Sequence, residues 1–95
     1  MSRKLLTHFQ LMILLAILRV DDPYGVTIAR EIERTAGRVA LLGAVYAALD
    51  RLEERGLVKS SVGDPTPEGG GRARRYFRLT AAGLRAVKDT QKALV

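Results

Sequence analysis

The sequence predicts one mainly α-helical domain of the α+β class, with three helices, a β-hairpin and a fourth helix in that order. Apolar residues recur at helical spacing in three segments before Gly56. Two β-type segments then flank a stretch rich in glycine and proline, and a helical pattern resumes at Thr80. With 95 residues, 47% hydrophobic and 27% charged, the chain has the size and composition of one globular domain.

Charge and residue types narrow the classes of function. Sixteen Lys and Arg against ten Asp and Glu give a formal net charge of +6, which favours a polyanionic partner such as nucleic acid or an anionic membrane surface. Without cysteine and with His8 as the single histidine, neither a disulfide framework nor a Cys/His metal site is expected. No nucleophile with a base, carboxylate pair or nucleotide-binding glycine loop is recognisable, so no enzyme and no cofactor are predicted.

The first helix is predicted to start after Thr7, whose hydroxyl can accept a backbone N–H, and to run to about Arg19 before Asp-Asp-Pro. It is apolar nearly all round, so it must be covered on more than one side, and a second subunit is one candidate cover. Its apolar run, Leu11 to Leu18, is far shorter than the roughly 20 residues that span a bilayer. No cleavage pattern follows that run, and we expect a cytoplasmic protein.

The second helix, within VTIAREIERTAG, is short. Ile28 and Ile32 mark its apolar stripe, Glu31 and Arg34 can pair one turn apart, and Gly37 is a natural stop. The third helix, about residues 43–55, has a core stripe of Val45, Leu49 and Leu52 and ends at Gly56. Its opposite face starts with small side chains, which permits close approach to a flat or grooved partner.

The hairpin carries an unusual concentration of arginine. LVKSSV is predicted as its first strand, GDPTPEGGG as a turn-rich tip and RARRYFRL as its second strand. Alternation places Arg75, Phe77 and Leu79 on the core face. The outer face then carries Arg72, Arg74, Tyr76 and Arg78.

The last helix opens with a capping Thr80 and has an apolar stripe with little of the domain left to cover it. We therefore expect residues 80–95 to form a helix apart from the domain of residues 1–79, with a second subunit covering its stripe. The predicted dimer contacts combine this stripe with two residues of the first helix: Phe9, Met12, Leu84, Val87, Gln91 and Leu94.

Helices followed by such a hairpin form the winged helix-turn-helix arrangement, in which the third helix enters the DNA major groove and the wing, here residues 63–79, reaches the backbone or minor groove. The predicted DNA contacts lie on the third helix and the wing of this DNA-binding domain, residues 1–79: Gly43, Ala44, Tyr46, Ala47, Arg51, Arg72, Arg74 and Arg78. Three alternatives stay open: the wing arginines only protect a strand edge, Tyr46 only packs, or Arg51 pairs with its acidic neighbours.

Three motifs in order, YGVTIAREIE, GAVYAALDRLEERGLV and GGRARRYFRLTAAG, resemble the PadR family of bacterial transcriptional regulators over about residues 8 to 85. The resemblance implies a dimeric winged-helix repressor that binds an inverted-repeat operator, often at its own promoter or near a transport or stress gene. By position, the family's G-x-x-Y corresponds to Gly43 and Tyr46. Its basic wing corresponds to Arg72, Arg74 and Arg75. The resemblance thus adds Arg75 to the predicted DNA contacts, below Arg74, because alternation turns Arg75 inward and only a twist of the wing would bring it to a phosphate.

The sequence departs from the family pattern at two places. Many relatives carry Ser or Thr two residues before the glycine, where this chain has Leu41, so that cap contact is not expected. Relatives often have a longer C-terminal helical region, so the dimer is expected to use the last helix packed with the first across a two-fold axis. A small flat or apolar effector between these helices is a further candidate partner.

Two rival functions use the same fold. A metal-sensing repressor would need Cys or His ligands for the metal, and the sequence has no cysteine and one histidine. A winged helix that binds an acidic protein surface is the alternative from a different class, and salt-dependent binding to duplex DNA separates it from a regulator.

Overall fold

The computed structural model describes residues 5–63 and 74–94. The helices are α1 (His8–Arg19), α2 (Gly25–Ala36), α3 (Leu42–Glu54) and α4 (Ala81–Ala93), and the strands are β1 (Val58–Val62) and β2 (Arg75–Leu79). The hairpin of β1 and β2 lies between α3 and α4, so the fold is the predicted winged helix-turn-helix, and we call the whole hairpin the wing. The predicted wing tip and Arg72 lie outside the described residues.

Local capping explains where the helices begin and end. The Thr7 hydroxyl accepts the Gln10 N–H at 3.1 Å, and the Gln10 side chain accepts the Thr7 N–H at 3.0 Å, which confirms the predicted start of α1. Gly37 ends α2 with φ 73°, and Gly56 turns the chain after α3 with φ 74°. Both lie in the left-handed region that glycine enters without a Cβ clash.

The core lies where α1 meets the other helices and the inner face of the hairpin. Ile13, Leu14, Ile28 and Leu49 are fully buried there. Phe77 is 2% exposed, which confirms the inward face that alternation predicts for β2. Burying one such side chain contributes about 1.5–3 kcal/mol. Within the described residues, no helix is both long and apolar enough to cross a bilayer.

The hairpin is antiparallel, with Ser60 opposite Phe77, and a third extended segment joins its β2 edge. The Phe77 N–H donates to the Pro23 carbonyl at 2.9 Å, and Tyr24 forms a bridge with Tyr76. The sequence marks this stretch only as the end of the first helix, at Asp-Asp-Pro. Proline can serve at a sheet edge because its carbonyl accepts a hydrogen bond although it has no N–H to donate.

Close backbone contact fixes α4 against the hairpin base. The Thr80 hydroxyl accepts the Gly83 N–H at 3.1 Å and donates to the Gly56 carbonyl at 2.7 Å. Gly83 lies so near Leu57 that a Cβ at residue 83 would be 2.1 Å from the Leu57 carbonyl oxygen. The Thr90 hydroxyl accepts the Leu6 N–H at 3.1 Å. The start of the chain and α4 thus share the same core.

This packing divides the stripe that the sequence predicts on the last helix. Gly83, Val87 and Thr90 face inward, and Val87 is 5% exposed within the single chain. Val87 is therefore a core residue, contrary to the prediction of a dimer contact, because the missing side chain at Gly83 lets that face of α4 approach Leu57. Leu84, Gln91 and Leu94 stay exposed.

Candidate nucleic-acid interface

The exposed face of α3 is low in side-chain bulk, as its periodicity predicts. Val45, Leu49 and Leu52 are fully buried on the core side, so the opposite side is turned outward. That side presents Gly43, Ala44, Tyr46, Ala47 and Arg51. No side chain caps the start of α3, where Leu41 is 71% exposed.

Tyr46 packs against the beginning of α2. A Cβ at Gly25 would lie 2.4 Å from both Cζ and Oη of Tyr46, so the ring occupies the space that any other residue at position 25 would fill. The packing role left open by the sequence is therefore present. Because 38% of Tyr46 remains exposed, the residue also belongs to the outer surface.

Arg74, directly before β2, is held by an aromatic pair. Its guanidinium carbon lies 4.6 Å from the centroid of the Tyr24 ring, a cation–π distance. The Tyr24 and Tyr76 rings meet edge to face, with centroids 5.8 Å apart. Since Tyr24 directly precedes Gly25, Arg74 of the wing and Tyr46 of α3 contact adjacent residues at the start of α2. The wing and the exposed face of α3 meet at this point.

The outer face of the hairpin is cationic. Lys59 of β1 lies directly opposite Arg78 of β2, and both are exposed. Neither forms an ion pair with any residue in the ranges 5–63 and 74–94. Like charges facing each other across strands are destabilising, so the pair favours a bound anion. Sequence reasoning missed Lys59, although its alternation with buried Val58 could have identified it.

Arg75 points to the opposite side, as alternation predicts. Its Nη1 lies 3.0 Å from Oδ1 of Asp50, its Nη2 pairs with Oε1 of Glu53, and its guanidinium carbon lies 4.8 Å from the centroid of the Phe77 ring. Glu53 also accepts the Ser60 hydroxyl at 2.7 Å and the Ser60 N–H at 3.2 Å. Arg75 thus faces α3, whereas Arg74 and Arg78 do not.

These contacts lower the pKa of Glu53 and raise the pKa of Arg75. The Ser60 hydroxyl and N–H hold the pKa of Glu53 below its ordinary value, with Arg75 adding to the effect against the cost of burial. Asp50 and then Glu53 raise the pKa of Arg75. On α2, the predicted pair forms: Arg34 donates to both carboxylate oxygens of Glu31 and lowers its pKa.

Arg51 is exposed and stands apart from the acidic residues beside it. Within the part of the chain that the structure describes, it forms no ion pair with Asp50 or Glu54. The locally paired charge that the sequence leaves open is therefore not observed. Arg51 borders a shallow cleft between α1 and α3, together with Ala44 and Ala47.

Phe9 and Met12 are half-buried and line a different cleft, of about 440 Å³, between α1 and the turn from α2 to α3. Ile32 and Leu41 line its other side, with His8 at the same cleft. The effector site predicted from the sequence lies between the first and last helices. This cleft is a different place, because no residue of α4, all of which the structure describes, lines it. No group of metal-ligating side chains occurs among the described residues.

The family model for PadR-like transcriptional regulators matches residues 14–89. The chain belongs to this family. PadR-like proteins are DNA-binding regulators and not enzymes, which confirms both expectations for this chain. No curated protein matches the sequence.

Solved structures of other proteins have the same fold. H. salinarum RosR is 34% identical with a TM-score of 0.72, over 94% of this chain and 74% of RosR. A transcriptional regulator from Clostridium thermocellum is 28% identical with a TM-score of 0.75, over 90% and 80%. A PadR family regulator from Clostridium difficile R20291 is 27% identical with a TM-score of 0.69, over 90% and 85%.

Proposed function

We propose that this PadR-like regulator is a dimeric, sequence-specific repressor that binds an inverted-repeat operator. One observation carries the proposal: the exposed face of α3 and the cationic outer face of the wing meet at Tyr24 and Gly25. Arg74 contacts the first of these residues, and Tyr46 contacts the second. A single duplex laid across this junction would meet both surfaces.

In this proposal α3 enters the major groove. Gly43, Ala44 and Ala47 keep the helix surface low, so its backbone can approach base edges in a groove about 12 Å wide. Alanine methyl groups suit apolar contact with thymine methyl groups, and Arg51 extends toward the phosphates at the side. Tyr46, fixed on Gly25, sets the depth of entry.

The outer face of the wing supplies the phosphate contacts. Lys59, Arg74 and Arg78 carry unpaired positive charge there, among the described residues. Arg72, which the sequence predicts to share this role, lies outside the described residues. These cations would follow the backbone or enter a narrow minor groove, where the negative potential is enhanced. Protection of a strand edge alone would not require Arg74 to be oriented on Tyr24.

The operator symmetry follows from a two-fold dimer. Exposed Leu84, Gln91 and Leu94 on α4, together with half-buried Phe9 and Met12 on α1, are the proposed contacts. A dimer that places two recognition helices on one face of the duplex reads half-sites about 34–36 Å apart, or one helical turn.

Selection from a pool of random duplexes tests this function without knowledge of the operator. Enrichment of an inverted repeat with half-sites one turn apart is the expected result. A single unsymmetrical site would contradict the dimeric reading. Recovery of no preferred sequence at any salt concentration would favour the winged helix that binds an acidic protein partner.

A further inference from the structure

We infer that Arg75 is a positioning residue, which fixes the wing against the recognition helix and does not itself bind phosphate. The inference rests on the proposed DNA-binding function. It separates Arg75 from the other wing arginines, although all of them belong to one basic run in the sequence.

The contacts of Arg75 join three parts of the interface. Its two terminal nitrogens bind carboxylates of Asp50 and Glu53, which lie one turn apart on α3. Its guanidinium stacks on Phe77, the buried anchor of β2. We call Arg75, Asp50 and Glu53 the ion-pair cluster.

Glu53 extends the cluster to the other strand. One carboxylate oxygen binds Arg75 of β2, and the other accepts both the hydroxyl and the N–H of Ser60 in β1. A single side chain of α3 therefore contacts both strands of the wing. The angle between the wing and the recognition helix depends on these bonds.

The charges of the cluster argue against a phosphate contact. Two carboxylates surround one guanidinium, so the cluster has a formal charge of −1. A phosphate that took the place of either carboxylate on Arg75 would break a charge-assisted contact, and it would approach a cluster that already carries excess negative charge. Asp50 and Glu53 would repel DNA if Arg75 left them, which explains how the recognition helix can carry acidic residues next to its DNA-facing surface.

Amide hydrogen exchange of the free protein tests the anchoring directly. The Ser60 N–H donates to Glu53, so its protection reports the contact between wing and helix. We expect Arg75→Gln to speed Ser60 exchange about fivefold, the effect of losing roughly one net hydrogen bond. Arg75→Lys should do the same, because an ammonium cannot bridge both carboxylates as a guanidinium does. Arg30→Gln, exposed on α2, is the matched control and should leave Ser60 exchange unchanged.

DNA titrations then separate positioning from contact. Arg75→Gln should weaken binding to the selected duplex about tenfold or more, yet change the slope of log K against log salt by much less than the roughly 0.9 of one lost phosphate contact. In the Asp50→Asn, Glu53→Gln background, the same substitution should have little further effect, because its partners are already gone.

Each alternative gives a different result. A slope reduced by about 0.9, with the full loss of affinity kept in the carboxylate-free background, would make Arg75 a phosphate contact and overturn the inference. Unchanged Ser60 exchange in both Arg75 variants would also overturn it. If the unaltered protein binds no duplex, the proposed function fails, whereas the exchange result still decides whether Arg75 anchors the wing.

Discussion

The ring of Tyr46 lies on the backbone of Gly25, in the space where the side chain of any other residue at position 25 would begin. Gly25 is the first residue of α2, and Tyr46 lies in the first half of α3. This contact therefore helps to set the position of α3 relative to α2. The residue before Gly25, Tyr24, contacts the wing, because the Arg74 guanidinium stacks on its ring.

We expect Gly25→Ala to destabilise the protein by about 1–3 kcal/mol, the range for an overpacked contact, because the new Cβ must displace the Tyr46 ring. Urea unfolding measures the change. Gly43→Ala is a matched control, since a Cβ there meets nothing within 4 Å and alanine favours a helix. In a Tyr46→Ala background, Gly25→Ala should cost much less. Equal costs in both backgrounds would show that the ring does not limit position 25.

Arg74→Ala should weaken binding to every duplex and lower the salt slope by about 0.9, the value for one phosphate contact. Anisotropy titrations at four or more salt concentrations provide the slope. An unaltered slope would remove Arg74 from the phosphate contacts and leave it as a packing partner of Tyr24.

Replacing Ala47 with leucine should block close approach to the base edges while leaving stability within about 0.5 kcal/mol, as is usual for an exposed helical position. Binding to the selected duplex should fall by about an order of magnitude or more, since each good base contact contributes about 1–3 kcal/mol. Thermal unfolding and titration are measured together. A collapse in Tm would mean that this face of α3 is not free.

Acid should loosen the wing through Glu53. The pKa of its folded form lies below 4.5, so the stabilisation it gives is present above the unfolded pKa and is lost as pH falls through the folded value. Protection of the Ser60 amide, corrected for intrinsic exchange, should therefore decline below about pH 4.5. Glu53→Gln should remove this decline, and Glu54→Gln, one residue away and exposed, should keep it. Parallel pH profiles in all three proteins would exclude Glu53 as the cause.

Charged residues at both Leu84 and Leu94 should prevent dimer formation, because these exposed side chains form the proposed interface on α4. Size-exclusion chromatography with light scattering gives the mass. The same change at Ala82, exposed on another side of α4, is the control. A dimer that persists in the double variant would place the interface elsewhere.

Local patterns predict most of the elements and the direction of each side chain on β2. The Thr7 cap, the left-handed glycines at 37 and 56 and the inward turn of Arg75 and Phe77 all depend on neighbours in the chain, which a sequence displays. Contacts between distant segments were not predictable in this way.

Three features of the site depend on such contacts. The bond from Phe77 to Pro23, the packing of Tyr46 on Gly25 and the burial of Val87 all require the folded arrangement. The apolar stripe of the last helix predicts Val87 at a dimer contact, but the close approach of Gly83 to Leu57 places that face in the core. The pairing of Arg75 with Asp50 and Glu53 likewise could not be predicted from a run of arginines.

The central claim, a regulator that recognises a specific operator through α3 and the wing, is tested most directly by titrating the protein against duplex DNA from its gene's own upstream region. A scrambled duplex of equal length and composition is the control, and both are measured at several salt concentrations. The account predicts tighter binding to the upstream duplex, with affinity that falls as salt rises. No binding to either duplex at low salt would contradict it.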